Sequence, residues 1–407
     1  MLDLEIVPEK SIATEKWQII LGMSMNQVIQ ILKNNCDSVK SVQLIYNDKE
    51  PVSSDYIIKL HCDGIILLFD SSNQKLKLIE INDLKKLKLR YYGNYFNNLP
   101  TIQPTFDQIT ETFGISSPGI YDDNSSVILL HFPGLFFTFN IDFRVEPKNI
   151  SHHSVQSLNF PTGRKPLVSK LSIYSGSSPS TAQAPEIPSL CLSKDIVYCS
   201  KITVIRDYNL ATRQGFSKGI SLNLFTQGLG YQLDRENFDA EIMFNDTCQD
   251  VMTAIGSPNS VYYKSEEINK NGAIQSDPSM ANDYFYNYKI LGFDLLFSTI
   301  QNRVIKFIFH SNFPCHYNFN NYFMCNFEIP ILVNPETNQT FVVTPATTLE
   351  KLQDNLSIKT QPAILHRSSS TNSVNPFGPA FFYVYEDIIF EVMTNGYIAS
   401  VTIACNR

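Results

Sequence analysis

A short amphipathic helix followed by paired strands recurs four times in this sequence, and this recurrence constrains the fold more than any other feature. The predicted helices are 24–34, 105–113, 247–255 and 348–356. Each begins at Ser or Thr, whose side-chain oxygen can accept a hydrogen bond from an N–H of the first turn. Two end before Gly114 or Gly256, which can adopt the left-handed conformation that closes a helix. The recurrence predicts copies of one supersecondary unit, each too small to bury its apolar face alone.

The first unit shows the pattern most clearly. Its apolar residues Met25, Val28, Ile29 and Leu32 are spaced so that they share one face of a helix. Alternating apolar residues then predict hairpins after each helix. The hairpin strands are predicted at 56–60 and 65–69, 127–131 and 135–140, 284–288 and 293–297, and 381–385 and 388–393.

The composition favours β-structure, because the chain of 407 residues contains 28 Phe and 20 Tyr and only 17% charged residues. The predicted fold class is α+β, with repeated units of a short helix followed by antiparallel strands and a β-rich central segment. We predict an N-terminal α+β lobe at 1–145, a β-rich central segment with polar loops at 146–240, and a C-terminal α+β lobe at 241–407. The sequence leaves open whether the central segment is a β-sandwich of its own or a sheet that bridges the lobes.

The charge pattern limits the classes of partner and the cellular location. A net charge of −7 argues against a protein wrapped around nucleic acid, which needs an excess of Lys and Arg. Asp3, Glu5 and Glu9 occupy the place where a secretory signal would carry cations. The longest apolar stretch, 127–139, is too short to span a bilayer. We therefore expect a cytoplasmic protein without a transmembrane segment, in which most of the eight cysteines are reduced core residues.

Catalytic and metal-binding signatures are weak in this sequence. The Gly-Phe-Ser-Lys-Gly stretch at 215–219 lacks the spacing of a phosphate-binding loop and is interpreted as a hairpin turn. His310, Cys315, His316 and Cys325 could ligate a metal ion, but they lack the close pairs typical of zinc sites, and the surrounding aromatic residues favour a packed structural loop. We predict no catalytic residues, no metal and no cofactor.

A cluster of cations provides the first candidate binding site. Lys75, Lys77, Lys85, Lys86, Lys88 and Arg90 lie within sixteen residues. Lys86, Lys88 and Arg90 alternate with leucines, which predicts three exposed charges on one strand face. Such a face could bind phosphoinositide head groups, with each nearby cation contributing ~1 kcal/mol. The predicted lipid-binding residues are Lys75, Lys77, Lys86, Lys88 and Arg90; the alternative is a solvated edge that discourages aggregation.

The second candidate site is a phosphate-binding or regulatory loop. It consists of His366, Arg367, Ser368, Ser369 and Ser370. A cation followed by hydroxyl groups can hold a phosphate, and serines beside Arg can be phosphorylated. The alternative is an ordinary surface loop, since Ser-, Asn- and Pro-rich stretches commonly form one.

Several longer motifs resemble one known family. They are the segments 2–9, 21–23, 63–65, 248–251, 263–266, 282–285, 316–320, 365–370 and 375–378, which read LDLEIVPE, LGM, DGI, CQDV, YKSE, NDYF, HYNFN, LHRSSS and NPFG. In this order they resemble the phagosome assembly factor 1 family from residue 2 to about 403. The resemblance implies a cytosolic, non-enzymatic autophagy factor that works with a WD-repeat β-propeller protein and gathers at phosphoinositide-containing sites of autophagosome formation.

The leading hypothesis is therefore an adaptor whose repeats dock a propeller protein and whose cationic face meets lipid. A stand-alone phosphoinositide-binding module is the alternative from a second class. An unrecognised hydrolase is a third class, but it would need a pocket of convergent titratable groups that the residue spacing does not predict.

Overall fold

The chain forms two compact units in the computed structural model. The residues described are 1–114, 120–122, 127–140, 166–193, 196–209, 212, 214–228, 235–264, 283–356, 358, 361–366 and 376–405. Unit 1 comprises Met1–Asn47 and Ser53–Cys191, and unit 2 comprises Asp48–Val52 and Leu192–Arg407. With 49% strand and 13% helix, the fold is mostly β with few helices, which is compatible with the predicted α+β class in its coarse form.

Among its described residues, unit 1 contains two sheets and two α-helices. Its strands are β1 (Leu2–Val7), β2 (Ser11–Ala13), β3 (Gln18–Ile20), β4 (Val42–Ile45), β5 (Tyr56–Leu60), β6 (Ile65–Phe69), β7 (Leu76–Ile81), β8 (Leu87–Tyr91), β9 (Asn94–Asn97), β10 (Ile120–Asp122), β11 (Val127–Phe132), β12 (Leu135–Asn140) and β13 (Val168–Tyr174). Its helices are α1 (Met25–Asn34) and α2 (Phe106–Phe113). The five-stranded sheet has the order β3-β2-β1-β8-β9 and the eight-stranded sheet the order β10-β11-β12-β13-β7-β6-β5-β4.

Unit 2 also contains two sheets and, among its described residues, two α-helices. Its strands are β14 (Tyr198–Asn209), β15 (Gln214–Gln227), β16 (Arg235–Met243), β17 (Ser260–Tyr263), β18 (Tyr284–Tyr288), β19 (Phe293–Ser298), β20 (Arg303–His310), β21 (Phe327–Asn334), β22 (Gln339–Val343), β23 (Ala363–Leu365), β24 (Ala380–Tyr385), β25 (Ile388–Val392) and β26 (Ile398–Ala404). Its helices are α3 (Cys248–Ile255) and α4 (Leu349–Leu356). The sheet orders are β16-β15-β14-β21-β22 and β17-β18-β19-β20-β26-β25-β24-β23.

The strand order of unit 2 is that of unit 1 with thirteen added to each strand number. The pairing directions agree as well, because β14 lies parallel to β21 just as β1 lies parallel to β8. In both units, each α-helix is followed along the chain by four strands of the eight-stranded sheet. The described parts of the two units therefore have the same connectivity.

The four helices lie where the sequence predicts them. Helix α1 begins after Ser24, whose side-chain oxygen accepts from the N–H of Gln27 at 3.3 Å, while Gln27 Oε1 accepts from the Ser24 N–H at 3.1 Å. This reciprocal capping box satisfies two backbone donors that the first turn cannot pair. Helices α2 and α3 end at Gly114 and Gly256, whose φ angles of 88° and 82° are readily accessible to glycine.

One buried cluster of apolar side chains connects both sheets and both helices of unit 2. Ile202 and Leu222 contribute from the five-stranded sheet, and Phe307 and Phe390 contribute from the eight-stranded sheet. Val251 of α3 belongs to the same cluster. The short helices are thus stabilised by packing on a shared core, since isolated helices of this length are marginal in water.

The predicted central segment, 146–240, is divided between the two units. Within it, β13 pairs with β12 and β7 in the eight-stranded sheet of unit 1. The strands β14, β15 and most of β16 build the five-stranded sheet of unit 2 instead. This division differs from the predicted boundaries near 145 and 240, because long-range pairing assigns each strand to its sheet whereas composition marks only the polar stretches between strands.

The predicted hairpin turn at 215–219 is wrong, because this stretch lies inside β15. The strand pairs with β14 and β16, and Gly219 lies where the backbones approach closely. A Cβ atom at Gly219 would lie 2.3 Å from the carbonyl oxygen of Ile242. The glycine is therefore required by the lack of space beside the neighbouring strand, and not by a turn.

Candidate functional site

The predicted lipid-binding cations lie on several elements of unit 1. Lys75 directly precedes β7 and Lys77 lies within it, in the eight-stranded sheet. Lys88 and Arg90 lie in β8, in the five-stranded sheet. Lys86 belongs to a 3₁₀ turn that ends where β8 begins, so the prediction that it shares a strand face with Lys88 and Arg90 is wrong. Sequence alternation cannot reveal such a turn, because Leu84 is buried just as a leucine of a strand would be.

Among the described residues, ion pairs are seen for Lys77, Lys86 and Arg90. The distances are 2.7 Å for Lys77 Nζ to Asp55 Oδ2, 3.4 Å for Lys86 Nζ to Asp83 Oδ2 and 2.9 Å for Arg90 Nε to Asp3 Oδ1. These partners neutralise part of the positive field, so the surface is less cationic than the sequence predicts.

Arg90 is only half-exposed, and its surroundings are acidic. Its Nε atom also lies 3.8 Å from Glu5 Oε2, and 25% of its side chain is exposed. Glu5 is the register partner of Arg90 in the parallel pair of β1 and β8. A glutamate at position 90 would therefore face two carboxylates, and Arg90 is not the fully exposed charge that the strand pattern predicts.

Lys85 and Lys88 remain as cations available to a ligand. Lys85 is exposed and Lys88 is half-buried on β8. Within the described part of the chain, neither forms an ion pair. Lys85 was not among the predicted lipid-binding residues, although it belongs to the same run of cations.

The predicted phosphate-binding or regulatory loop is only partly described. His366 follows β23 and is exposed. Arg367, Ser368, Ser369 and Ser370 lie outside the described residues. The loop therefore stays a prediction.

Unit 2 contains a buried polar network that sequence reasoning missed. The hydroxyl of Tyr322 donates to Asp294, at 2.8 Å from Oδ1 and 3.0 Å from Oδ2. Asn287 Nδ2 donates to Asp294 Oδ1 at 2.8 Å, and His310 Nε2 lies 2.9 Å from Asp294 Oδ2. The available signal was Asp294 itself, a carboxylate between the apolar residues Phe293 and Leu295 of β19.

A second buried group lies beside this network. His316 Nε2 is 3.4 Å from Glu391 Oε1, and the Ser400 hydroxyl donates to Glu391 Oε2 at 2.5 Å. His316 and Tyr322 belong to the segment 311–326 between β20 and β21, whereas Glu391 and Asp294 belong to strands. The two groups thus attach this segment to the eight-stranded sheet.

The chemistry of these groups is that of structural support. Burial raises the pKa of Tyr322 well above its ordinary value, so the phenol remains a hydrogen-bond donor. Burial also raises the pKa of the Cys315 thiol to about 11, which disfavours the nucleophilic thiolate at neutral pH. Across the described ranges, no group of three or more His, Cys, Asp or Glu side chains could hold a metal ion.

An ion-paired cluster connects the two sheets of unit 2. Arg206 Nη2 lies 2.6 Å from Glu386 Oε2, and its Nη1 lies 2.8 Å from Asp387 Oδ1. The N–H groups of Gly215 and Ser217 donate to these carboxylates at 2.6 and 2.7 Å. Burial raises the pKa of Glu386, while the Gly215 N–H and the Arg206 guanidinium oppose that shift. The cluster attaches β14 and β15 to the turn between β24 and β25.

A groove of about 610 Å³ lies beside these strands. Residues 214–218 of β15 line one side, and Met243, Phe244 and Asn245 line another. Lys218 is the only charged residue of the described lining, which therefore lacks the acid and base pair that general acid–base catalysis requires.

Comparison with known proteins identifies the family. The sequence profile of the family described as Phagosome assembly factor 1 matches residues 15–404. The chain belongs to this family. The resemblance predicted from its motifs is thereby confirmed, and the Phagosome assembly factor 1 name indicates an assembly role related to autophagy.

Curated relatives of this chain occur in animals and plants. A PHAF1 protein of Drosophila melanogaster is 40% identical over 421 residues, which cover 99% of this chain and 94% of the relative. A PHAF1 protein of Caenorhabditis elegans is 30% identical, with coverage of 98% and 93%. One of Arabidopsis thaliana is also 30% identical, with coverage of 94% and 89%. No solved structure matches the chain significantly.

The described helices of this chain are short. Among them, none combines the length and the apolar character needed to cross a membrane.

Proposed function

We propose that this chain is a non-enzymatic adaptor in autophagy, which binds a WD-repeat β-propeller protein and reaches phosphoinositide-containing sites of autophagosome formation together with it. Membership of the Phagosome assembly factor 1 family carries the proposal. The propeller partner and the membrane site are what the family resemblance implies. In this proposal the protein is cytoplasmic until it is recruited.

The repeated architecture supports a docking role. We propose that the four helix-and-strand segments are copies of one unit, and the shared connectivity of units 1 and 2 supports this interpretation. Repeated units that share a core present extended surfaces in fixed geometry. Such surfaces suit a protein that holds partners together.

The ion pairs of unit 1 favour recruitment with a partner over stand-alone lipid binding. Lys77, Lys86 and Arg90 already have carboxylate partners. Lys85 and Lys88 together would contribute ~2 kcal/mol near an anionic membrane. Even a dissociation constant of 1 mM requires ~4 kcal/mol, so these two cations assist binding but do not hold the protein on a membrane.

Vesicle flotation tests whether membrane binding depends on the partner. The purified chain, alone or with the propeller protein recovered with it from cells, is mixed with vesicles that contain phosphatidylinositol phosphates. We expect strong flotation only with the partner. The Lys85→Glu/Lys88→Glu variant should lower flotation in both arms. Its matched control is Lys16→Glu/Lys40→Glu, which makes the same charge change at two exposed lysines elsewhere in unit 1.

Two results would contradict the proposal. If affinity capture of the chain from cells at low salt recovers no WD-repeat protein, the adaptor role is wrong. If the chain alone floats as well as the complex does, the alternative of a stand-alone phosphoinositide-binding module is correct.

We also propose that the loop formed by His366, Arg367, Ser368, Ser369 and Ser370 is a phosphate-binding or regulatory site. A phosphate on a serine beside Arg367 would add charge that guanidinium groups recognise. Phosphopeptide mapping of the protein from starved and fed cells checks this. Unmodified serines in both states, together with unchanged partner binding by the Ser→Ala variants, would contradict it.

A further inference from the structure

We propose that the free edge of β16 in unit 2 binds an extended basic segment of a partner protein, which adds to the sheet as a further strand. This mode of binding uses main-chain hydrogen bonds for affinity and alternate side chains for specificity. The inference concerns a different surface from the lipid-facing cations, and it does not depend on a propeller being the partner.

The length of β16 distinguishes it from the other sheet edges. It has nine residues and is the outermost strand of its five-stranded sheet. The next longest edge strand among the described sheets is β22, with five residues. Long unpaired edges are liabilities that proteins usually shorten or cover. An exposed edge of this length is therefore a feature that function can explain.

The hydrogen bonding to β15 shows which backbone groups face outwards. The N–H of Phe244 donates to the carbonyl of Lys218 at 2.8 Å, directly beyond the last register pair of the two strands. Bonded and non-bonded pairs alternate along an antiparallel ladder. Because the register is regular from Gly219–Met243 to Gln227–Arg235, every second residue back from Phe244 is bonded to β15.

The remaining residues of β16 direct their backbone groups to the free edge. They are Asn237, Asp239 and Glu241, with Met243 at the end of the strand. The N–H of Met243 donates to Asp246 Oδ2 at 2.7 Å, so this end of the edge is closed by the chain itself. No described residue pairs with the backbone of Asn237, Asp239 or Glu241. Their N–H and C=O groups are what an added strand would bind.

The side chains of β16 define the chemistry of that strand. Asp239 and Glu241 are exposed on one face. Phe238 is on the other face, which it shares with Ala240 and the buried Ile242, yet it is 38% exposed. A segment that alternates basic and apolar residues would pair its cations with the two carboxylates and cover Phe238 with its apolar side chains.

A second copy of β16 does not suit this edge. Glu236, Asp239 and Glu241 give β16 an excess of negative charge, and like charges on adjacent strands are destabilising. Arg235, the cation of β16, packs over the Phe225 ring of the neighbouring strand β15, with its Cζ atom 3.8 Å from the ring centroid. The charges therefore oppose self-association and favour a basic partner.

The test uses a fluorescent peptide of alternating Lys and Val with the length of β16. Fluorescence anisotropy measures its binding to the full chain, and a peptide of alternating Glu and Val is the control for charge. The Asn237→Pro variant removes one outward N–H and leaves the ladder to β15 intact, because proline is tolerated where the N–H of an edge strand faces solvent. Asn237→Ala is the matched control, since it removes the same side chain and keeps the N–H.

We expect the Lys-Val peptide to bind the natural chain and Asn237→Ala equally. Asn237→Pro should weaken binding ~10-fold or more, which corresponds to ~1.4 kcal/mol. Asp239→Asn/Glu241→Gln should weaken binding and flatten its salt dependence. Hydrogen exchange at residues 237–241 should slow when the peptide is present.

Three outcomes would overturn the proposal. The first is equal binding of the Lys-Val peptide to folded Asn237→Pro and Asn237→Ala, which would mean electrostatic attraction without strand addition. The second is equal binding of the Glu-Val peptide, and the third is no binding of either. A circular dichroism spectrum and a thermal midpoint like those of Asn237→Ala establish that Asn237→Pro is folded. If Asn237→Pro is not folded, hydrogen exchange of the Asp239→Asn/Glu241→Gln variant decides instead. Loss of the peptide-induced protection at 237–241 in that variant supports the proposal, and unchanged protection overturns it.

Discussion

Arg206 Nη1 lies 2.8 Å from Asp387 Oδ1, and the two side chains are only 6% and 1% exposed. Arg206 comes from β14, in the five-stranded sheet of unit 2, and Asp387 comes from the turn before β25, in the eight-stranded sheet. The pair therefore connects the two layers that enclose the core of this unit.

Replacement of this guanidinium should be among the most damaging single changes in unit 2. Arg206→Met leaves the buried carboxylates of Asp387 and Glu386 without their cation, and removal of one partner from a buried ion pair costs ~3–5 kcal/mol. Differential scanning calorimetry should show a large decrease in the midpoint temperature of the unfolding transition of unit 2. Lys218→Ala is the control, because its pair with Asp207 is exposed and such pairs contribute ~0–1 kcal/mol. Equal effects of the two variants would show that the buried pair has no special role.

Asp63 should make unit 1 less stable at neutral pH than an uncharged side chain would. Burial raises the pKa of Asp63 above its ordinary value of 3.8, and the nearby Lys86 opposes this shift only in part. Among the described residues, its Oδ2 atom has no hydrogen-bond partner. The folded state thus holds the proton more tightly than the unfolded state, so stability falls as the pH rises from 3.8 through the raised pKa.

Asp63→Asn should therefore raise the thermal midpoint at neutral pH, and the gain should disappear below pH 3.8. Asp37→Asn is the control at an exposed aspartate of the same unit, where little change is expected. Thermal melts across pH check both variants. A midpoint lower than that of the natural chain at neutral pH would contradict the interpretation.

The Asp294 network should depend on the Tyr322 hydroxyl. Tyr322→Phe removes a donor that lies within 3.0 Å of both carboxylate oxygens, and a buried group left short of a partner costs ~1–3 kcal/mol. Hydrogen exchange in the segment 311–326 should become faster, because this segment loses one of its attachments to the sheet. Tyr92→Phe is the control at a side chain that is 82% exposed. Unchanged exchange in 311–326 would mean that the segment is held by apolar packing alone.

Two glycines of unit 1 allow the cost of a left-handed backbone to be compared with the cost of a steric clash. Gly134 has a φ of 71°, and a Cβ atom there would lie 2.3 Å from the backbone nitrogen of Glu9. Gly93 has a φ of 78°, but a Cβ atom there meets no described atom within 4 Å. Gly93→Ala should cost ~1–2 kcal/mol for the left-handed conformation. Gly134→Ala should cost ~1–3 kcal/mol more, because the turn must move away from Glu9. Equal losses in urea unfolding would contradict the close approach.

The features that the sequence predicts well are those whose causes are local. The boundaries of α1 follow from Ser24 and from apolar residues three and four positions apart, and the hairpin of β5 and β6 follows from alternation around Gly64. Such signals need no knowledge of distant residues.

The features that the sequence predicts poorly depend on distant partners. Arg90 is neutralised by Asp3, which becomes its neighbour only when β1 pairs in parallel with β8. Asp294 and Tyr322 meet across 28 positions of the chain. A run of cations or an isolated acid in a strand indicates a candidate site, but only the tertiary pairing determines which charges are satisfied.

The assignment of Asp48–Val52 to unit 2, between two stretches of unit 1, determines how the protein can be dissected. The carbonyl of Asp48 accepts a hydrogen bond from Asn395 Nδ2 at 2.7 Å, so a C-terminal fragment that starts at Leu192 would lack a piece of its own fold. An N-terminal fragment that ends at Cys191 would carry that piece as a foreign insertion. Deletion mapping that splits the protein at this point would therefore compare two fragments, neither of which matches a structural unit. A loss of function in either fragment would not show which unit carries that function.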